Sequence, residues 1–227
     1  MTDEAKPVTD HWIEQRDAEF AYGFDKKNDL ARWFGVRGIP HAVLVDPSGT
    51  ILWRGQPQNL KSSTIDEALK GALETPISDW PKSASKVAKY VRKADFAKAV
   101  QEAEKLGAEG GSVLAAVRQL ADGKRDSIER WIDQGDYLNA TERGKGYLKE
   151  LKGLPQGEAI ERMLTEVEED DDAQDVLDAQ ERVAKLMGRK IKKGSIPKLT
   201  RELKQIAAKY AGTGAGRDAK AALQRLR

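Results

Sequence analysis

Short apolar runs near the start of this chain give way, past residues 74–81, to longer helical spacing. Residues 43–45 and 51–53 are β-branched, leucine or aromatic, and Asp46-Pro47-Ser48-Gly49 separates them. That is strand, turn and strand chemistry: Pro47 presets φ at the first central turn position, Gly49 accepts positive φ, and the strands fold back antiparallel. Pro40 stands at the start of the first strand, where a missing N–H costs least, and its peptide bond is a candidate for the cis form. Residues 63–73 read as an amphipathic helix with Ile65, Ala68, Leu69, Ala72 and Leu73 on one stripe, suited to covering one face of a sheet.

From Lys82 onward the pattern is helix after helix. Residues 84–91, 95–106, 112–134, 136–152, 155–168, 173–187, 196–210 and 217–226 carry helical spacing, with short Gly or Asp breaks between them. Ala, Leu, Lys, Glu and Arg dominate, in keeping with intrinsic propensity. A faint echo links Ala94-Asp95-Phe96 with Ala99 and Gly135-Asp136-Tyr137 with Ala140. In each, a small and an acidic residue precede an aromatic, and an alanine follows three residues later. The domain organisation expected is therefore residues 1–75 with mixed structure, a linker at 76–81 rich in proline, and an all-α region at 82–227. Trp80 in that linker reads as an anchor packing the two regions together.

Composition narrows the class. The 227 residues are 39% hydrophobic and 33% charged with a formal net charge of +2, so no large field for nucleic acid or an anionic membrane is expected. No run is long and apolar enough to span a bilayer. Met1-Thr2-Asp3-Glu4 is acidic and lacks the pattern of a secretory signal. There is no cysteine.

Gly38-Ile39-Pro40-His41, the Asp46-Pro47-Ser48-Gly49 turn, the strand end Trp53-Arg54-Gly55 and the helix that follows resemble the C-terminal half of thioredoxin-fold thiol-disulfide oxidoreductases of the TlpA and redoxin type. The resemblance covers residues 2–73. It implies an α+β fold class, a partial thioredoxin-like fold followed by an all-α helical-hairpin domain. Residues 5–16 would be the helix after the second core strand, 18–24 an inserted strand and 28–34 the short helix before the proline. It further implies that Pro40 is a cis-proline and that the backbone of Ile39 pairs with a bound substrate strand. The aromatic and alanine echo, and the break at residues 210–215, resemble tetratricopeptide-like hairpins, though two degenerate copies fall short of a fixed 34-residue period.

The family's Cys-x-x-Cys helix and its flanking strands have no counterpart in these residues and are expected upstream of Met1, which makes a truncated member, extracytoplasmic in its longer form, one expectation. The other is a non-catalytic module that binds a protein or peptide through the helical domain, with or without help from the first region. Disulfide exchange needs a thiolate, and with no cysteine this chain cannot perform it.

Other candidate chemistry is weaker. His11 and His41 lack the spacing of zinc ligands. Residues 168–172, Glu-Glu-Asp-Asp-Asp, lack the spaced oxygens and central glycine of a calcium loop and read as the acidic start of a helix. Residues 189–193, Arg-Lys-Ile-Lys-Lys, are the mirror image at a helix C-terminus, without the aromatic residues that stack bases. Gly212, Gly214 and Gly216 are not followed by the Lys-Ser/Thr of a phosphate loop. Ser48 and Ser112 have no evident His and acid partners. No cofactor or metal is expected, and the expected partner is a protein or peptide.

Overall fold

Helix dominates the chain, with a single antiparallel hairpin among the described residues. The computed structural model describes residues 6–16, 25, 27–47, 49–189, 191 and 193–226. The chain divides into two units, Met1–Ala72 and Leu73–Arg227.

In the first unit, α1 (Lys6–Arg16) and α2 (Asp29–Trp33) precede the hairpin of β1 (Ala42–Val45) and β2 (Ile51–Gly55). The start of α2 is ordered by Asp25, whose carboxylate oxygens accept the N–H groups of Asp29 and Ala31, each at 2.9 Å. The Ala31 N–H above all holds the Asp25 carboxyl below its ordinary range. At the hairpin turn, Asp46 is buried. Its carbonyl accepts the Gly49 N–H and its Oδ1 the Thr50 N–H, both at 2.9 Å. Gly49 has φ 86°, the left-handed conformation that the turn asks of this position. The register pairs Ala42 with Gly55, Val43 with Arg54 and Leu44 with Trp53, then slips between Leu44 and Val45.

α3 (Ser62–Ala68) packs on both strands. It ends earlier than the residue 73 its spacing predicts, and Gly71 turns the chain away with φ 77°. The expected buried stripe is not formed: Ala68 is buried at 6% exposure, but Ile65 is 39% and Leu69 60% exposed. Strands of four and five residues offer too small a face to cover a full helical stripe. The strand predicted at 18–24 lies outside the described residues.

Among the described residues the second unit is an array of eight α-helices: α4 (Ser85–Arg92), α5 (Phe96–Glu104), α6 (Gly111–Asp133), α7 (Tyr137–Glu150), α8 (Pro155–Glu169), α9 (Asp171–Met187), α10 (Ile196–Lys209) and α11 (Gly214–Arg225). Each corresponds to a helix read from periodicity. The largest shift is at α11, which begins at Gly214 rather than residue 217. There Thr213 Oγ1 donates to the Tyr210 carbonyl at 2.9 Å and orders the break. Asp95, Asp136 and Asp170 cap α5, α7 and α9 by accepting backbone N–H groups of the first turn. Neighbouring and next-but-one helices pack together, as in stacked helical hairpins.

Two separate apolar cores result. One runs through α4–α8 around Phe96, Val117, Ile128, Leu151 and Ile160, and the other through α9–α11 around Val183, Leu203, Ile206 and Ala219. Ile128, Leu151, Ile160 and Leu203 are 0% exposed, and each contributes about 1.5–3 kcal/mol by leaving water. Trp80 packs on the first of these cores, and its indole N–H donates to the Thr75 carbonyl at 3.3 Å.

Candidate functional site

The Ile39–Pro40 peptide bond is cis. Ile39 itself is 91% exposed, the highest value among the exposed large apolar side chains. Immediately after it, His41 has its Nε2 buried with no hydrogen-bond partner among the described residues, and then β1 begins. Among the described residues β1 pairs with β2 alone. The two residues singled out in the sequence, Ile39 and Pro40, thus stand together just before β1.

The first unit also carries exposed apolar side chains. Among the described residues, every large apolar side chain that stands exposed lies between Val8 and Leu69, Trp33 (71%) and Trp12 (49%) among them. Only Ala68 in this unit joins the buried apolar set, whose other members all lie in the helical unit. Trp33 and Phe34 meet edge to face with centroids 4.6 Å apart.

The helical unit has its own polar centre. Gln180 of α9 is 1% exposed, and its side chain joins three helices. Its Nε2 donates to Asp136 Oδ1 at 2.8 Å and to Asp218 Oδ2 at 3.1 Å, while its Oε1 accepts the Leu138 N–H at 3.1 Å. Burial pushes the Asp218 carboxyl up; the Gln180 hydrogen bond opposes that shift, and the Asp136 charge reinforces it. Nearby, Gly214 N–H donates to the Gly135 carbonyl at 2.8 Å, and Arg217 Nη2 to the Gln134 carbonyl at 2.9 Å. Elsewhere in the unit a half-buried cation, Lys124, sits 4.3 Å from the Tyr147 ring centroid, 5.3 Å from that of Phe96, and pairs with Glu150 Oε2 at 2.7 Å. Neither Gln180 nor Lys124 was visible as a functional position in the sequence. The Asp136 cap was the one signal pointing toward the Gln180 centre.

The remaining candidates are dispersed. His11 lies on α1 beside Gln15, its Nε2 2.9 Å from Gln15 Nε2. Asp170 caps α9 through the N–H groups of Asp172 and Ala173. Ser112 lies in the first turn of α6, while Ser48 is outside the described residues. Among the described residues no group of three or more His, Asp or Glu is arranged to hold a metal ion, and no helix is long and apolar enough to cross a membrane.

No protein-family model, curated protein or solved structure matches this chain.

Proposed function

We propose that this chain is a thioredoxin-like protein of the TlpA and redoxin type that recognises an extended peptide and performs no disulfide chemistry itself. The reading rests on Ile39, whose 91% exposed side chain stands between Gly38 and Pro40 just before β1, a strand that pairs only with β2 among the described residues. An extended peptide laid along that strand would exchange backbone hydrogen bonds with residues 39–45, while alternate side chains found apolar contacts. With no cysteine, the chain has no nucleophile for disulfide exchange, so recognition is the part of the family's activity its residues can supply.

The test is selection of extended peptides from a random display library on the full chain, followed by affinity measurement on the Ile39→Asp variant. Ile39 is exposed, so the change leaves the fold intact. A loss of tenfold or more, about 1.4 kcal/mol, is the expected result. Equal binding by the variant would overturn the reading.

A second reading places binding on the helical unit, and one observation favours it. A groove between α9 and α10, about 360 Å³, is lined by Asp175, Ala179, Arg182, Ile206 and Tyr210, combining charged rims with an apolar floor. Selected peptides that bind the Ile39→Asp variant unchanged and shift only α9 and α10 resonances would support that alternative.

A further inference from the structure

Charge is distributed along α8, α9 and α10 in two opposed blocks. Residues 166–181 hold nine Asp or Glu and no Lys or Arg, whereas residues 182–204 hold nine Lys or Arg and one acid, Glu202. The sign reverses between Glu181 and Arg182, two-thirds of the way along α9.

Two rungs show how α9 and α10 lie against each other. Arg182 Nε meets Glu202 Oε1 at 2.6 Å, and Lys209 Nζ meets Asp175 Oδ2 at 2.9 Å, so the helices run antiparallel. Towards the C-terminal end of α9 lies a cleft of about 580 Å³, lined by Asp178, Glu181, Arg182, Lys185, Leu186, Arg189 and Glu202. Glu202 neutralises Arg182. Lys185 and Arg189 remain, with Lys198 one turn before Glu202 on α10. All three are exposed, and none has an ion-pair partner among the described residues.

At the other end of α9 the corner joining it to α8 presents Glu166, Glu168, Glu169, Asp171 and Asp172, all exposed and likewise without ion-pair partners among the described residues. The two ends of a helix this long are about 24 Å apart at 1.5 Å per residue. That is about three Debye lengths at physiological ionic strength, so the charges at the two ends of α9 do not neutralise each other within one molecule.

We propose that the basic end of the α9–α10 groove takes the acidic α8–α9 corner of a second copy of this chain. The complementary surface is carried by the molecule itself, and its position at the opposite end of α9 makes the contact head-to-tail, between unlike patches. Asp178 and Glu181 line the same cleft one to two turns before Lys185, so the acidic corner is expected to engage the Lys185 and Arg189 end alone. A nucleic-acid backbone would run on into those carboxylates. Rim charges of this kind act chiefly through association rate and salt dependence.

The experiment is the weight-average mass of the full, nucleic-acid-free chain by sedimentation and light scattering, across protein concentration at low and high salt. At about 20 mM salt the mass rises with concentration above the 25.1 kDa of one chain, and at about 0.5 M it falls back to that value. K185E/R189E and E168K/E169K each stay monomeric at low salt. Mixed in equal amounts they associate again, because each supplies a patch the other lacks. Circular dichroism confirms that both remain helical. A wild-type mass of one chain at every concentration in low salt would overturn the proposal. So would association that K185E/R189E leaves unchanged, or variants that fail to recombine.

Discussion

Gln180 is the residue on which three helices of the second unit converge, and its surroundings leave little latitude. A Cβ at Gly214 would lie 2.5 Å from Gln180 Nε2, 2.6 Å from the Gly135 carbonyl oxygen and 2.9 Å from Asp136 Cα. No side-chain rotation relieves the two backbone contacts, so Gly214→Ala is expected to cost about 1–3 kcal/mol by overpacking. Gln180→Leu removes three hydrogen bonds and leaves the Leu138 N–H and two carboxylates without their donor or acceptor. The expected loss is about 2–4 kcal/mol, a fall of roughly 5–15 °C in Tm by calorimetry. Asp218 offers a pH readout of the same centre. Its carboxyl is pushed up by burial, so its ionised form opposes folding above the raised value, and that cost fades as the pH falls toward the ordinary 3.8. Asp218→Asn keeps an acceptor for Gln180 without the charge. The variant should therefore gain most over wild type near pH 7, and the gain should shrink by pH 4. A difference in Tm that stays constant across that range would contradict this assignment. Asp95, Glu102 and Asp175, whose carboxyls are held low first of all by Lys98, Lys105 and Lys209, act in the opposite sense. They favour folding above the ordinary carboxylate value, and their contribution is lost as the pH falls through their lowered values. All three are solvent-screened, which keeps their share small.

At the scale of elements, the helices were legible and their joints were not. Helical periodicity placed all eight helices of the second unit, because each has one stripe that must be buried and a break that ends it. Asp95 and Asp136 also stood out, since an acidic residue ahead of an aromatic and an alanine is a helix-start pattern. Phe96, Ala99 and Ala140 are buried where that echo places them. What the pattern could not show is that Asp136 also accepts from a glutamine 44 residues later, because a contact of that range leaves no local periodicity. The two caps are therefore expected to differ. Asp95→Ala should cost about 1 kcal/mol, the ordinary value for a lost cap. Asp136→Ala should cost more, and combined with Gln180→Leu should be strongly non-additive, with a coupling of about 0.5–3 kcal/mol in a double-mutant cycle monitored by urea unfolding. Simple additivity would show that the cap and the glutamine act independently. In the first unit the hairpin was readable from Pro47 and Gly49. The helix after it was read too long, because helical spacing continues through Leu73 although the hairpin is too small to hold it.

The whole molecule joins a helical unit with two closed cores to a unit whose described apolar residues are mostly uncovered. A unit in which Trp12, Trp33, Ile39 and Leu69 are exposed and Ala68 alone among the described apolar residues is buried has few buried contacts to resist local opening. On the proposed function, an extended peptide bound along β1 covers part of this exposed apolar surface. In the free protein, the amides of α1, β1, β2 and α3 are thus expected to exchange far faster than those in the cores of α4–α11. The most direct test follows amide hydrogen exchange of the full chain with and without a saturating peptide selected from the display library. Slowed exchange at residues 39–45 on binding, with α4–α11 unchanged, is the result this account predicts. Protection gained only in α4–α11, with residues 39–45 exchanging as in the free chain, would contradict it.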